Sequence, residues 1–153
     1  MSSLPRASDL TAHLGFWLRA VSSHVSQAFA DRLAAKDVTI AEWVLLRALY
    51  GKDPMSPSRL ADEMTMSPGT ISKLVNQLIT KSLVVRTTEL ADRRRQTIAL
   101  TPQGRSLVPE LAALADRNDM DFFHHLTDDE RKTLERVLKR MSARWRMTGI
   151  PIR

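Results

Sequence analysis

Two Ser-Pro steps, Ser56-Pro57 and Ser67-Pro68, stand eleven residues apart and constrain the fold more than any other feature of the sequence. Serine is a preferred helix N-cap, and proline is tolerated at the first helical position because the amide it lacks would have no partner there. The spacing leaves room for one short helix over 57–64, a three-residue turn and a second helix over 68–81. The sequence therefore predicts a helix-turn-helix.

The second of these helices is predicted to have one apolar and one polar face. The apolar stripe follows helical spacing and consists of Ile71, Leu74, Val75, Leu78 and Ile79. The opposite face carries small or hydrogen-bonding side chains, namely Gly69, Thr70, Ser72, Lys73, Asn76 and Gln77. No acid occurs between Ser67 and Arg86, which favours a DNA-contacting surface over a merely solvated one.

Two helices are predicted before the helix-turn-helix. Apolar residues spaced three and four apart from Leu10 to Leu33 predict one long amphipathic helix. The sequence Thr39-Ile-Ala-Glu42 is a capping box, in which the threonine and glutamate side chains bond each other's backbone amides, and it begins a shorter helix.

A hairpin and two long helices are predicted after the helix-turn-helix. The β-rich runs 83–88 and 96–100 are joined by a charged tip without glycine or proline. Thr101-Pro102 begins a helix that Pro109 is expected to kink or delay, and the capping box at 127–130 begins the last helix. The predicted fold class is mainly α with a small β component: a winged helix-turn-helix between long N- and C-terminal helices.

Composition supports an ordinary globular chain. The 153 residues are 43% hydrophobic and 26% charged, and they include no cysteine, which excludes disulfides, thiolate zinc sites and thiol redox sensing. The N-terminus lacks the apolar core of a signal peptide, and no apolar run is long enough for a membrane span. A cytoplasmic protein without a membrane partner is expected.

The formal net charge of +6 is unevenly distributed. Residues 67–105 carry seven Lys/Arg and two Asp/Glu, a balance of +5. Residues 106–130 carry one against seven (−6) and residues 131–153 eight against one (+7), so these two neighbouring blocks are predicted to neutralise each other. The uncompensated block includes the second helix of the helix-turn-helix and indicates an anionic partner such as nucleic acid.

Several motifs carry a family resemblance. They are SPGTISKLVNQL at 67–78, LVVR at 83–86, ADRRR at 91–95 and IALTPQG at 98–104. With the order of predicted elements, they make the sequence similar to the MarR family of winged-helix transcriptional regulators over almost its whole length. The chain departs from the family at Ser82, where a glycine usually precedes the first strand of the wing.

The resemblance implies that the second helix of the helix-turn-helix enters the major groove of double-stranded DNA. Thr70, Ser72 and Lys73 suit contact with base edges, and Asn76, one turn further on, can bond an adenine edge or a phosphate. The expected DNA-binding set is Ser67, Pro68, Gly69, Thr70, Ser72, Lys73, Asn76, Arg86, Asp92, Arg93, Arg94 and Arg95.

Three consecutive arginines, Arg93 to Arg95, lie at the predicted hairpin tip. Like charges at a tip repel one another without an anionic partner, but beside a DNA-reading helix they can reach the adjacent minor groove. The resemblance implies that Asp92 orients Arg94, and the residues leave open whether Arg93 or Arg94 enters the groove. The alternative interpretation is a solvated run of charge.

The whole chain, 1–153, is interpreted as a single domain. It contains a winged helix-turn-helix module at 39–100 and dimerisation helices at 9–35 and 102–147, whose stripes hold more large apolar residues than the module could cover. The resemblance implies a homodimeric repressor that binds a pseudo-palindromic operator and needs no cofactor. The expected dimer interface consists of Leu10, Leu14, Leu18, Leu111, Leu114, Leu134, Leu138 and Met141.

A small-molecule effector is a further expected partner, because many members of the family are released from DNA by a ligand. His13, Trp17, Trp43 and Arg47 are candidates for such a pocket, since aromatic walls with one cation suit an aromatic acid. The alternative interpretation assigns both tryptophans to the core.

Two other classes of function are alternatives to DNA binding. An enzyme is not expected, because no catalytic motif accompanies the four histidines, His13, His24, His124 and His125. The last two are adjacent and point about 100° apart on a helix, so they are poor co-ligands and no metal site is expected; the alternative is a metal at the dimer interface bound by one of them. The other alternative is a winged-helix module that mediates protein or RNA contacts without specific DNA binding.

Overall fold

The computed structural model describes residues 3–89, 91–92 and 95–148, with the backbone alone for 145–148. A 3-10 turn (Leu10–Ala12) precedes α1 (Leu14–Ala34), α2 (Ile40–Leu49), α3 (Pro57–Met64), α4 (Pro68–Thr80), β1 (Val84–Thr88), β2 (Gln96–Leu100), α5 (Pro102–Phe123) and α6 (Asp128–Thr148). The structure is mostly helical with one two-stranded sheet. The predicted fold class, a mainly α winged helix-turn-helix, is confirmed.

Two compact units make up the chain. Residues 1–116 contain α1 to α4, the sheet and most of α5, and residues 117–153 contain the end of α5 and all of α6. Within the ranges that the structure describes, no helix has the length and apolar character needed to cross a membrane.

Both Ser-Pro steps begin helices, as predicted. Ser56 Oγ accepts a hydrogen bond from the Arg59 N–H at 3.2 Å, and Ser67 Oγ accepts one from the Thr70 N–H at 3.2 Å. Between them, Thr65 takes a left-handed conformation (φ 55°) that ends α3. Local capping chemistry therefore sets the bounds of the helix-turn-helix.

The first helix begins later than predicted. It starts at Leu14 rather than Leu10, because the 3-10 turn Leu10–Ala12 ends at His13, which is extended (φ −98°, ψ 127°). Neither Asp9 nor His13 makes a side-chain cap hydrogen bond, so no capping side chain marks either helix start in the sequence. The apolar spacing was correct, but it did not show this break.

The fifth helix begins at Pro102, as predicted, and continues past Pro109 without a delayed start. Proline removes one helical hydrogen bond, but the neighbouring Val108 and Leu111 are fully buried and hold this turn against the core. Leu111 was expected at the dimer interface. That assignment is wrong, because this side chain packs inside the core of its own chain.

The core of residues 1–116 fixes the position of α4. It joins the inward faces of α2, α3, α4, the sheet and α5, and its fully buried members include Leu45, Leu46, Leu60, Ile71, Leu78 and Ile98. The predicted apolar stripe of α4 is confirmed, with Ile79 half-buried.

The two strands of the sheet are joined by a third segment at the middle of β2. β1 and β2 pair antiparallel from Val84 opposite Leu100 to Thr88 opposite Gln96. Met55 adds an isolated bridge to Ile98, with backbone hydrogen bonds of 3.0 and 2.7 Å, so the segment before α3 extends the sheet. The sequence did not indicate this third segment.

The turn before β1 keeps a glycine-like geometry although the residue is serine. Ser82 has φ 62°, in the left-handed region, and its carbonyl accepts the Thr101 hydroxyl at 2.7 Å. Close by, a Cβ at Gly104 would collide with the Leu83 carbonyl oxygen, so glycine is required where α5 begins. The departure at Ser82 therefore leaves the turn intact.

Candidate nucleic-acid interface

The outward face of α4 is a shallow exposed groove. It is lined by Gly69, Ser72, Lys73, Asn76, Gln77 and Thr80. The helix has 13 residues and is therefore about 20 Å long, enough to lie in a major groove about 12 Å wide. The structure brings the predicted polar face together on the surface, opposite the buried stripe.

The N-terminus of α4 is exposed, including Pro68 and Gly69. Ser67 Oγ lies 2.8 Å from Thr70 Oγ1 as well as accepting the Thr70 N–H. The cap therefore orients the Thr70 hydroxyl. Pro68 has no N–H, and the N–H groups of Thr70 and Ile71 are bonded to Ser67, so the Gly69 N–H is left at the positive end of the helix dipole. This end of α4 can donate a hydrogen bond to a phosphate or to an acceptor on a base edge.

The middle of α4 is tied to the wing by Asn76 and Arg86. Arg86 lies on β1, is half-buried, and donates from Nη2 to Asn76 Oδ1 at 3.0 Å. Thr80 Oγ1 donates to the Asn76 carbonyl, also at 3.0 Å. Two residues of the predicted DNA-binding set thus contact each other.

A second cleft separates the starts of α3 and α4 from the base of the wing. It is lined by Ser56, Pro57, Ser58, Pro68, Glu89, Arg95, Gln96 and Thr97. Two helix N-termini and the Arg95 guanidinium contribute positive potential, against one carboxylate from Glu89. The cleft extends the surface of α4 towards the wing.

The described part of the wing tip is held by backbone hydrogen bonds. The Arg95 N–H donates to the Asp92 carbonyl at 3.0 Å, and the Glu89 N–H donates to the Arg95 carbonyl at 3.1 Å. Asp92 and Arg95 are exposed. Arg93 and Arg94 lie outside the described residues, so their roles, and that of Asp92 beside Arg94, stay predictions.

The ligand candidates on α1 lie at its beginning. Trp17 is 52% exposed, and its Nε1–H donates to the Thr11 carbonyl at 2.8 Å. Its ring meets Phe16 edge-on at 5.2 Å, and His13 is exposed just before the helix. Trp17 is therefore not a core residue of the chain.

The ligand candidates on α2 lie elsewhere. Trp43 is half-buried with its ring 6.4 Å from Phe29, and the Arg47 guanidinium lies 5.7 Å from the Tyr50 ring centre. Phe29 follows Trp17 by twelve residues, about 18 Å along α1. The structure does not bring the two tryptophans into one pocket of a single chain.

A buried ion pair behind α4 was missed by sequence reasoning. Glu42, 1% exposed, accepts the Thr39 N–H at 2.9 Å and the Lys81 ammonium at 3.0 Å on the same oxygen. Lys81 also donates to the Asp37 carbonyl at 2.6 Å. The capping box was predictable, but the partner 39 residues away carries no local signal.

Exposed charges of α6 pair within the helix. Lys139 bonds Glu135 at 2.7 Å, and Arg131 bonds Asp128 three residues before it. Both pairs lie within one helix, so the neutralisation between neighbouring helices expected for the acidic and basic blocks stays a prediction. The Lys139 ammonium lowers the pKa of Glu135, and the Thr127 backbone N–H, followed by its side chain, lowers that of Glu130. Across the described residues, no three metal-ligating side chains come together.

Comparison with known proteins assigns this arrangement to a family. A model described as MarR family matches residues 36–95. The chain is 35% identical over 134 residues to a putative transcriptional regulatory protein for the hcr operon of Thauera aromatica, covering 87% of this chain and 81% of that protein.

Solved structures agree. BpsR of Bordetella bronchiseptica, whose DNA binding is regulated by 6-hydroxynicotinic acid, is 25% identical with a TM-score of 0.79, covering 90% of this chain and 98% of that one. CouR of Rhodococcus jostii, solved with p-coumaroyl-CoA, is 26% identical with a TM-score of 0.75, covering 88% and 95%. The Thauera relative is named as a transcriptional regulatory protein and not as an enzyme. The chain belongs to the MarR family and is a DNA-binding transcriptional regulator of that type.

Proposed function

We propose that the protein is a repressor that binds a pseudo-palindromic DNA operator as a homodimer. One observation carries the proposal: an acid-free helix face, on α4, is exposed beside the base of a wing. A rigid core positions that face, which is what base-specific contact requires. The protein is proposed to act in the cytoplasm.

In this proposal, α4 lies in the major groove with its N-terminus towards the bases. Thr70, Ser72 and Lys73 meet base edges, while the starts of α3 and α4 approach phosphates through their amides. The wing, with Arg95 and the predicted Arg93 and Arg94, follows the adjacent minor groove. The cleft between the starts of α3 and α4 and the base of the wing is open to both surfaces, which supports one continuous contact.

The homodimer is supported by apolar side chains that the chain leaves exposed. On α1 these include Leu14, 88% exposed, together with Leu18 and Val21, and on α6 they include Leu138 and Met141. Burying such side chains against a second copy is favourable by about 1.5–3 kcal/mol for each one fully covered. A two-fold axis would then set two α4 helices about 34 Å apart, one turn of DNA.

An aromatic acid is proposed as the effector that releases the DNA. The support is the chemistry named for two structural relatives: 6-hydroxynicotinic acid is an aromatic acid, and p-coumaroyl-CoA carries an aromatic acyl group as a thioester. Because Trp17 lies about 18 Å along α1 from Phe29, the ring partner of Trp43, the pair on α1 and the pair on α2 each mark a separate candidate place within a chain. The residues at α2, with Arg47 as a cation, offer the better match to a carboxylate.

The test is to sequence the genomic fragments that the purified protein retains, and then to repeat the capture with candidate aromatic acids. A shared pseudo-palindromic motif that disappears with one acid is expected. Equal retention of random duplex would contradict the operator. Retention of single-stranded RNA in place of duplex DNA would instead support the alternative winged-helix function.

A further inference from the structure

Helix α1 contributes to the core near its end. Of its 21 residues, all of them described, Leu33 is the one that is fully buried, and Phe29 packs partly buried against the ring of Trp43. Leu14 and Leu18, towards the beginning of the helix, are exposed and belong to the proposed dimer interface. The end of α1 is therefore the point about which this helix can rotate against the module.

A polar contact holds that end of α1 to the end of α4. The ammonium of Lys81, the residue that follows α4, donates to the Asp37 carbonyl at 2.6 Å and to Glu42 Oε1 at 3.0 Å. Asp37 belongs to the turn after α1, and its N–H donates to the Ala34 carbonyl at 3.0 Å. Glu42 lies in the first turn of α2. We call Lys81, Asp37 and Glu42 the Lys81 clamp, because one cation joins three helices.

The Lys81 clamp constrains angles more strictly than the apolar contacts around it. Apolar burial is non-directional, so the packing of Leu33 alone permits some rotation. Hydrogen bonds weaken steeply when they bend, and one of the two acceptors of Lys81 is a carboxylate that is 1% exposed. Glu42 Oε2 is buried without a hydrogen-bond partner, so any rotation that moves Lys81 away leaves that carboxylate poorly compensated.

A small rotation at the end of α1 moves its beginning by a large distance. At a rise of about 1.5 Å per residue, Leu14 lies about 28 Å from Leu33, so a rotation of about 10° displaces Leu14 by about 5 Å. That displacement exceeds the rise of one base pair, about 3.4 Å. The angle between α1 and α4 therefore matters on the scale of the DNA.

We infer that Lys81 is a positioning residue that fixes the spacing between the two half-sites of the operator. In a homodimer, α1 contacts the second copy while α4 contacts the DNA, so the angle between them determines how far apart the two α4 helices lie. Lys81 follows Thr70 by eleven residues, about 16 Å along the helix, so it acts through the orientation of α4 and does not touch a base. The inference rests on the homodimer and the operator proposed above.

The experiment is selection from duplexes in which both the half-sites and the length of the spacer between them are randomised. Wild type should enrich one spacer length, and changing that spacer by one base pair should weaken binding about tenfold, as one mismatched base pair does. Lys81→Met should enrich the same half-site sequence at several spacer lengths and reduce the tenfold loss to about threefold or less. Lys81→Arg keeps a cation with N–H donors and should restore the single spacer.

Two control variants separate this role from a general loss of stability. Lys36→Met removes a lysine from the same turn as Asp37, but Lys36 forms an exposed pair with Glu110 on α5 at 3.8 Å, so the spacer preference should not change. Val108→Ala opens a cavity at a buried position of α5 and lowers stability without removing the Lys81 clamp, so it too should keep one spacer. Thermal unfolding shows which variants are folded at the temperature of the selection.

If Lys81→Met does not fold, Glu42→Gln decides. It keeps an amide oxygen for the Thr39 N–H but weakens the bond to Lys81, because the acceptor is no longer charged, and it should broaden the spacer preference in the same direction. A single spacer retained by the folded variant, or an equal broadening in Val108→Ala, would overturn the inference. Half-sites enriched singly by every protein, wild type included, would contradict the proposed homodimer and the inference with it.

Discussion

The winged helix-turn-helix module and the terminal helices differ in where their large apolar side chains lie. In the module, Leu46, Leu60 and Ile71 are completely buried by contacts within the chain. On α1 and α6, by contrast, Leu14 and Leu138 are 88% and 42% exposed. Both regions show apolar residues at helical spacing in the sequence, so the pattern alone does not tell which faces the chain itself covers.

This difference indicates two sources of stability. The module is held by its own core, whereas the exposed faces of α1 and α6 leave apolar area that a second copy is proposed to cover. Changes in the module should therefore act at any protein concentration, and changes on the exposed faces should act through assembly. The predictions below test that division.

The largest expected effect is that of salt on DNA binding. About four phosphate contacts per chain, and about eight for a dimer, give a slope of log affinity on log salt near −7, or about a 10⁴-fold loss between 50 and 200 mM. Titration of a labelled operator measures it. A slope near −4 for the wild type would show that only one module binds, and one shallower than about −2 would contradict the DNA interface.

Leu14→Glu and Leu138→Glu should dissociate the homodimer. Each puts an unpaired charge into the proposed interface at about 3–5 kcal/mol, which raises the dimer Kd about 100- to 4,000-fold. Sedimentation velocity over a range of concentrations measures the Kd. Val85→Glu is the matched control, because Val85 is 47% exposed but lies on β1, outside that interface.

If the wild type sediments as a stable single chain at micromolar concentration, the proposal that a second copy covers the exposed faces of α1 and α6 is wrong. The exposed faces of α1 and α6 would then be ordinary surface, and the pseudo-palindromic operator would lose its structural basis.

Lys81→Met should destabilise the module by about 2–3 kcal/mol, because it leaves Glu42 buried without its cation. The value is below the full cost of breaking a buried pair, since Lys81 keeps about a quarter of its side chain exposed. Urea unfolding measures the change, which should be equal at low and high protein concentration. Lys139→Met, from the exposed pair on α6, should cost under about 1 kcal/mol. Equal losses of stability in the two variants would show that the buried Lys81–Glu42 pair contributes no more to the module than an exposed pair contributes to α6.

The sequence predicted those features that depend on residues close to one another in the chain. The starts of α3 and α4, both capping boxes and the polar face of α4 follow from residues three or four apart, and all are present. The sequence did not predict contacts between segments that lie far apart in the chain. The Lys81–Glu42 pair, the Met55–Ile98 bridge and the burial of Leu111 depend on tertiary packing, for which a single sequence offers no local signal.

The candidate site divides in the same way. Helical spacing placed Thr70, Ser72 and Lys73 on one surface, because one helix carries all three. The bond from Arg86 to Asn76 joins a strand to a helix across ten residues, and only the folded chain shows it.

Thr70→Ala should weaken operator binding by about 1–2 kcal/mol and random-duplex binding very little. The expected loss is in the lower part of the range of about 1–3 kcal/mol for a base contact, because Thr70→Ala removes one hydroxyl only. The backbone hydrogen bond from residue 70 to Ser67, which caps the helix, is kept. Competition titrations with both duplexes measure the ratio. Thr133→Ala, an exposed threonine on α6, is the control and should change neither affinity. Equal weakening on both duplexes would mean that Thr70 contacts phosphate rather than a base.

The smallest effect is expected at the exposed capping box that begins α6. The Thr127 backbone N–H, and after it the Thr127 side chain, hold the pKa of Glu130 below its ordinary value near 4.5. A carboxylate whose pKa is lowered on folding stabilises the fold above its unfolded pKa, and this contribution disappears as the pH falls through the lowered folded value. In Thr127→Ala the backbone donor remains but the hydroxyl is lost, so the pKa of Glu130 should rise only part of the way. NMR titration of the Glu130 carboxyl carbon measures it, with Thr127→Ser expected to keep the wild-type value. A Glu130 pKa in Thr127→Ala equal to that of the wild type would show that the Thr127 hydroxyl has no part in holding it down.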